Sequence, residues 1–169
     1  MTAVPTPESG REMPAYRQDG PESRLAALGL ELPPAPAPLG QYVPLVNAAG
    51  LVFLSGMVPM ISGKPEYVGV IGSSLTVAEA ARAARLAALN AVSVLRAGTG
   101  SLDALAGIVR LSVNLRTTAE FTEHPKVADA ASTVFNEVFG GRHTRMVFGV
   151  LSLPAGMCVE LEVIGQLVG

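Results

Sequence analysis

Tryptophan is absent from this chain of 169 residues, cysteine occurs once and histidine twice. Each scarcity removes a class of function. Cys158 alone excludes an intrachain disulfide and any cysteine-built metal site, and it suits a reducing cytoplasm. His124 and His143 form no recognisable metal motif, so no metal is expected. Aromatics make up 5% of the chain, and its net charge of −2 comes without a basic block, which leaves few stacking platforms and few phosphate contacts. No nucleic-acid partner is expected. Long apolar runs are missing too: Arg82, Arg85 and Arg96 interrupt the best candidate, well short of the roughly 18 to 20 residues that a spanning helix needs, so no membrane partner is expected. The first residues, with Pro5, Pro7 and Glu8, lack the basic start and apolar run of a secretory signal. The expected protein is soluble and cytoplasmic.

What the chain has in quantity is apolar residues, at 49%, with only 15% charged and a mean hydropathy of +0.41. That is apolar for a soluble domain, so part of the surface is expected to be covered by other subunits. The length fits one domain with a real core. Residues 1–21, with Pro5, Pro7, Pro14 and Pro21 among polar neighbours, read as a mobile tail. Residues 22–38 combine a short helix, Glu22 to Gly29, with a stiff strap carrying Pro33, Pro34, Pro36 and Pro38. The remaining residues, 39–169, form the domain proper.

Within it, strands are predicted at Tyr42 to Val46 and Leu51 to Ser55, joined as a hairpin through Asn47-Ala48-Ala49-Gly50. The spacing predicts a helix over Thr76 to Ala97, opened by a Thr76/Glu79 capping box and stopped by Gly98. Its Ala80, Ala84, Ala87, Ala88, Ala91, Val92 and Leu95 recur at three- and four-residue steps, a face able to lie close on a sheet. Ile108 to Leu115 reads as a strand, Pro125 to Phe139 as a second long helix stopped by Gly140-Gly141. The last strands, Arg145 to Leu151 and Val159 to Leu167, flank the turn residues Pro154-Ala155-Gly156 and are expected to form a closing hairpin. The order β-β-α-β-α-β-β predicts an α+β fold: one mixed sheet with both long helices on one face.

Four segments carry a resemblance: Leu39-Gly40-Gln41-Tyr42-Val43; Val52 to Pro59, with Ser55-Gly56 at its centre; Asn90 followed by Ser101 to Arg110; and Arg145, Leu153-Pro154 and Val159-Glu160-Leu161-Glu162. In order and spacing these resemble the Rid family, the YjgF/YER057c/UK114 group also labelled endoribonuclease L-PSP. The similarity runs from about residue 39 to the C-terminus. It implies a chorismate-mutase-like fold, a homotrimer with a central barrel, and ligand clefts between subunits. Active members hydrolyse reactive 2-imino and enamine acids to 2-keto acids and ammonia without a cofactor.

By that resemblance Arg145 pairs with a substrate carboxylate, for which a planar, permanently charged fork is suited. Glu160 orients the attacking water and takes its proton. Tyr42 and Ser55 offer hydroxyls to the ligand, and Gly56 lets the backbone approach it. Strand geometry puts Glu160 and Glu162 on one side, so the residues alone leave that pair open. His143 shares the Arg145 face and is expected to be a partly exposed boundary residue; Cys158 is expected to be a small buried hydrophobe. The chain departs from the family at Gln41, at His143-Thr144-Arg145-Met146, in the short link from Phe139 to Arg145 and in its N-terminal extension, features of a side branch. Three functions stay open: imine deaminase, a non-catalytic trimer binding a small carboxylic acid, and, last, a ribonuclease.

Overall fold

The computed structural model describes residues 19–169. The predicted tail, 1–21, therefore falls almost wholly outside the described residues. The elements run α1 (Pro21–Ala27), β1 (Leu45–Ala48), β2 (Leu51–Leu54), β3 (Met60–Ile61), β4 (Lys64–Pro65), α2 (Val77–Thr99), β5 (Leu105–Arg116), α3 (His124–Phe139), β6 (Thr144–Val150) and β7 (Val159–Leu167). Five strands form one mixed sheet in the order β1-β2-β7-β5-β6, and β3 and β4 make a separate ribbon. The helices α2 and α3 pack on each other and on one face of the sheet, against β7 and β5. The α+β class and the one-sided placement of both long helices are as the sequence predicts.

The closing hairpin is not found. β6 pairs with β5 in parallel, after the α3 crossover, while β7 returns to lie antiparallel between β2 and β5. Burial gives the reason. On β7, Val159, Leu161 and Val163 are fully buried, so the strand needs neighbours on both edges, whereas β6 alternates between exposed and half-buried residues and is stable at an edge.

The long helix starts as predicted. Thr76 Oγ1 accepts from the Glu79 backbone N–H at 3.2 Å, and Glu79 Oε2 accepts from the Thr76 N–H at 2.8 Å. It ends later than expected, at Gly100 with φ +82°, while Gly98 lies inside the helix. A methyl group at Gly98 would come within 2.9 Å of Leu45 Cδ1, so this glycine serves contact with β1 and not termination. Ala80, Ala83, Ala84, Ala87, Ala88 and Ala91 are wholly buried, and such small side chains let α2 settle close to the sheet. Phe135 and Phe139 of α3 fill the core beside them.

The first hairpin is tighter than predicted. β1 begins at Leu45, because Pro44 has no N–H for a ladder, and the turn is only Ala49-Gly50, both with positive φ (+50° and +76°). The ribbon β3–β4 turns the same way at Ser62-Gly63. α1 bridges the ends of both long helices: Glu22 Oε1 accepts from the Leu102 N–H and pairs with Arg96 Nε, both at 3.0 Å, and Arg24 Nε donates to the Val138 carbonyl at 2.7 Å. Ser93 of α2 donates to the Pro33 carbonyl at 2.7 Å and so fastens the proline-rich segment to the domain.

Candidate functional site

Beyond β2 the chain keeps beside β7 but slips by one residue. Phe53 pairs with Ile164 while Met57 pairs with Leu161, four steps along one strand against three along the other. That is the count of a β-bulge, and it falls at Ser55-Gly56. The bulge re-aims Ser55 and Gly56 toward a pocket of about 430 Å³ lined by Leu39, Tyr42, Ser55, Gly56, Val58, Pro154 and Glu160. Four of the five residues singled out by resemblance thus meet in one place.

Each wall has a local cause. Ser55 Oγ donates to the Val43 carbonyl at 2.8 Å and its N–H donates to the Pro44 carbonyl at 3.0 Å, which ties the bulge to the Leu39–Pro44 segment. Tyr42 folds back so that its hydroxyl accepts from the Leu39 N–H at 3.1 Å, leaving the phenolic hydrogen for a ligand. Val58 is held from behind by Asn90, a buried α2 residue whose Nδ2 donates to the Val58 and Met60 carbonyls at 2.9 and 3.0 Å. Leu39, Val58 and Pro154 all stand in the segments that carry the resemblance, but their apolar side chains gave no chemical signal of a lining role.

Among the described residues Glu160 is the only charged one in the lining. It is half-buried, and desolvation raises its carboxyl pKa from the ordinary value, with no cation among the described residues offsetting the rise. Glu162 is exposed and absent from the pocket, so the two acids separate as sequence could not decide.

Arg145 is elsewhere. It pairs with Leu111 of β5, which points into the helix-covered core, whereas Glu160 pairs with Asn114, three residues on and on the other face. Within one chain the two predicted catalytic residues therefore lie on opposite faces of the sheet. Arg145 Nη1 donates to Asp129 Oδ1 at 2.7 Å and to Ser132 Oγ at 2.9 Å, both on α3. Ser132 Oγ in turn lies 3.0 Å from His143 Nε2. Asp129 and Ser132 escaped the sequence reading; their three-residue spacing on one helix face was the available signal. Burial and the neighbouring Arg145 charge lower the pKa of His143, which favours the neutral ring.

Cys158 is fully buried, and its thiol is pushed up to about 11 by desolvation, which makes it a packing residue. Among the described residues no three His, Cys, Asp or Glu side chains gather as metal ligands, and no helix is long and apolar enough to cross a membrane.

Comparison with known proteins adds to this geometry. Residues 22–164 match the family model described as "YjgF/chorismate mutase-like, putative endoribonuclease". Protein TCP17 of Trypanosoma cruzi is 38% identical over 148 residues, 86% of this chain and 92% of that protein. A crystal structure from Shewanella oneidensis, described with the same endoribonuclease label, superposes with a TM-score of 0.84 at 38% identity, over 88% of this chain and 100% of the other. E. coli TdcF, solved with bound serine, shares the fold with a TM-score of 0.59 at 23% identity, covering 79% of this chain and 94% of its own.

Proposed function

This chain belongs to the YjgF/chorismate mutase-like family, and from that premise we propose that its pocket hydrolyses reactive 2-imino and enamine acids to 2-keto acids and ammonia. The observation that carries the reading is Glu160: a half-buried carboxylate, raised by desolvation, set against two hydroxyl-bearing residues in a pocket with apolar walls. A base whose pKa is drawn toward neutrality is better matched to proton transfer at working pH. In the proposed reaction Glu160 takes a proton from water as the oxygen bonds to C2 of the iminium. The same proton then passes to the amine nitrogen; as the C–N bond breaks, the new hydroxyl gives its own proton to Glu160, which hands it to the departing ammonia, so one iminium acid and one water give one keto acid and one ammonium.

The substrate carboxylate needs a cation, and among the described residues no lysine or arginine lines the pocket. Arg145 is the proposed anchor, supplied by a second copy of the chain. Two features support an assembly of copies: β6, which carries Arg145, is an edge strand open to approach, and the sheet face opposite the helices carries the exposed Phe53, Met146 and Phe148, an apolar surface that other copies would cover. The proposed assembly is the homotrimer of the family. The serine held by TdcF supports a small carboxylate-bearing ligand as the class.

A second reading, a trimer that binds a small carboxylic acid without turnover, is favoured by the pairing of Arg145 with Asp129, which already offsets its charge. The endoribonuclease label finds little support in a pocket whose one charged group among the described residues is a carboxylate, which repels phosphodiesters.

The test is a coupled assay in which an upstream enzyme generates 2-iminobutyrate in situ. Keto-acid release faster than spontaneous hydrolysis, lost in Glu160→Gln and in Arg145→Ala, is expected. If wild type gives no acceleration with several imine side chains while still binding the corresponding keto acids, the non-catalytic reading replaces this one.

A further inference from the structure

Arg145 is held by one corner. Both hydrogens of its Nη1 are used, one by Asp129 Oδ1 and one by Ser132 Oγ. Its Nε and Nη2 meet no acceptor among the described residues and are not sealed off, since the side chain keeps 23% of its surface exposed. The open edge presents two parallel N–H groups, the geometry that binds a carboxylate bidentately.

What keeps the corner in place is a chain of hydrogens. Ser132 Oγ accepts from Arg145, which leaves its own hydrogen to be donated to His143 Nε2 at 3.0 Å. The alternative, with Nε2 donating to Ser132, strands both the hydroxyl hydrogen and a bare Nδ1. Nδ1 is buried without a partner among the described residues in either case, so the first arrangement leaves fewer groups unsatisfied.

We propose that Ser132 and His143 are positioning residues for Arg145: the neutral imidazole turns the Ser132 hydroxyl so that its lone pairs pin Nη1, and protonation of His143 releases the pin and weakens carboxylate binding. With a hydrogen on Nε2, Ser132 receives two donors, its own hydrogen loses its acceptor, and a second positive charge stands beside Arg145. Among the described residues no acid pairs directly with His143 to offset that charge. From α3 it meets Ser132 and, ring to ring in a T-shaped arrangement at 6.1 Å, Phe135, and from β6 it feels the charge of Arg145. Asp129 sits on Arg145, Arg142 is exposed in the preceding turn, and Arg110 of β5 faces the other side, against Met146. Burial and Arg145 both lower the His143 pKa, which agrees with a neutral ring at working pH.

The inference rests on the reading of Arg145 as the carboxylate anchor, and one experiment separates the two. Calorimetric titration with 2-oxobutyrate, a keto-acid product that does not react further, is run between about pH 8 and pH 5 on the intact assembly. Wild type is expected to lose about tenfold in affinity across that range. His143→Phe and Ser132→Ala are expected to bind about tenfold more weakly at neutral pH. His143→Gln, whose side-chain carbonyl accepts the Ser132 hydrogen but takes no proton, is expected to restore binding and abolish the His143 part of the acid limb. Any limb due to Glu160 survives in His143→Gln and is removed by Glu160→Gln. If Arg145→Ala binds like wild type, the anchor reading fails and this inference with it. If Arg145→Ala loses binding while His143→Gln keeps the full wild-type limb, or if wild-type binding strengthens in acid, the positioning role is overturned and the anchor stands.

Discussion

Gly56 and Glu160 face each other with no room for a side chain between them: a methyl group built on Gly56 would overlap Glu160 Oε1 and lie 2.9 Å from Cδ. The φ of Gly56 is not in the left-handed region, so the backbone does not require glycine here; the space does. Because the atoms that would clash are the far end of a flexible side chain, Gly56→Ala is expected to fold and to melt close to wild type while swinging the Glu160 carboxylate away. Keto-acid release should fall about tenfold or more, as for other displacements of about an ångström at a reacting group. A variant that melts normally and turns over at the wild-type rate would sink the assignment of Glu160.

Glu160 also makes a prediction about stability. Burial raises its carboxyl above the ordinary value, so the folded state holds this proton more tightly than the unfolded chain. Between the ordinary and the raised value the folded state binds more protons, and stability from this group falls as pH rises through that window. Glu160→Gln removes the penalty. It is expected to melt slightly higher than wild type at neutral pH, with the difference vanishing as pH falls below the ordinary carboxylate range, while imine hydrolysis is lost. Parallel melting curves at several pH values and the coupled assay check the pairing of gain and loss.

The sequence was a good guide wherever local chemistry decided the outcome. The capping box at Thr76 and Glu79, the αL stop at Gly140 and the alanine face of α2 all formed as read, because each depends on residues within a few positions of one another. It misled where distant partners decided. Gly98 resembled a helix stop until Leu45 packed against it, and β7 seemed a hairpin partner of β6 until its two buried edges required β2 and β5. The pocket was half legible for the same reason. Tyr42, Ser55, Gly56 and Glu160 converge within one chain, but Arg145 does not, and neither strand periodicity nor motif spacing says which sheet face an edge residue takes.

Asn90 shows how α2 supports the pocket without lining it. Its Nδ2 is the donor for two carbonyls, Val58 and Met60, that have left the main sheet, and the residue is 1% exposed. Asn90→Ala strands both acceptors and opens a gap behind Val58. A loss of about 2–4 kcal/mol is expected, since unsatisfied buried groups cost about 1–3 kcal/mol each and part of the loss relaxes. Binding of 2-oxobutyrate should weaken as well, because the pocket wall loses its tie to the helix. A drop in stability below about 0.5 kcal/mol in chemical denaturation would show that these carbonyls find other partners.

Cys158 gives a probe of opening that no other residue in the chain duplicates, since it is the single cysteine. Its thiol, pushed up to about 11, is ionised to the order of one part in a thousand at pH 8 even before burial limits access. It lies in the segment that joins the pocket to the sheet: its N–H donates to the Tyr67 carbonyl at 3.1 Å, and its carbonyl accepts from the Arg116 N–H at 2.9 Å, two residues before Glu160. Labelling by a disulfide reagent is therefore expected only when the segment entering β7 opens, and a ligand that binds the pocket should slow it in proportion to occupancy. Rapid labelling of the native protein, unaffected by 2-oxobutyrate concentrations that saturate the calorimetric titration, would show that β7 opens independently of the pocket and would detach Glu160 from a rigid support.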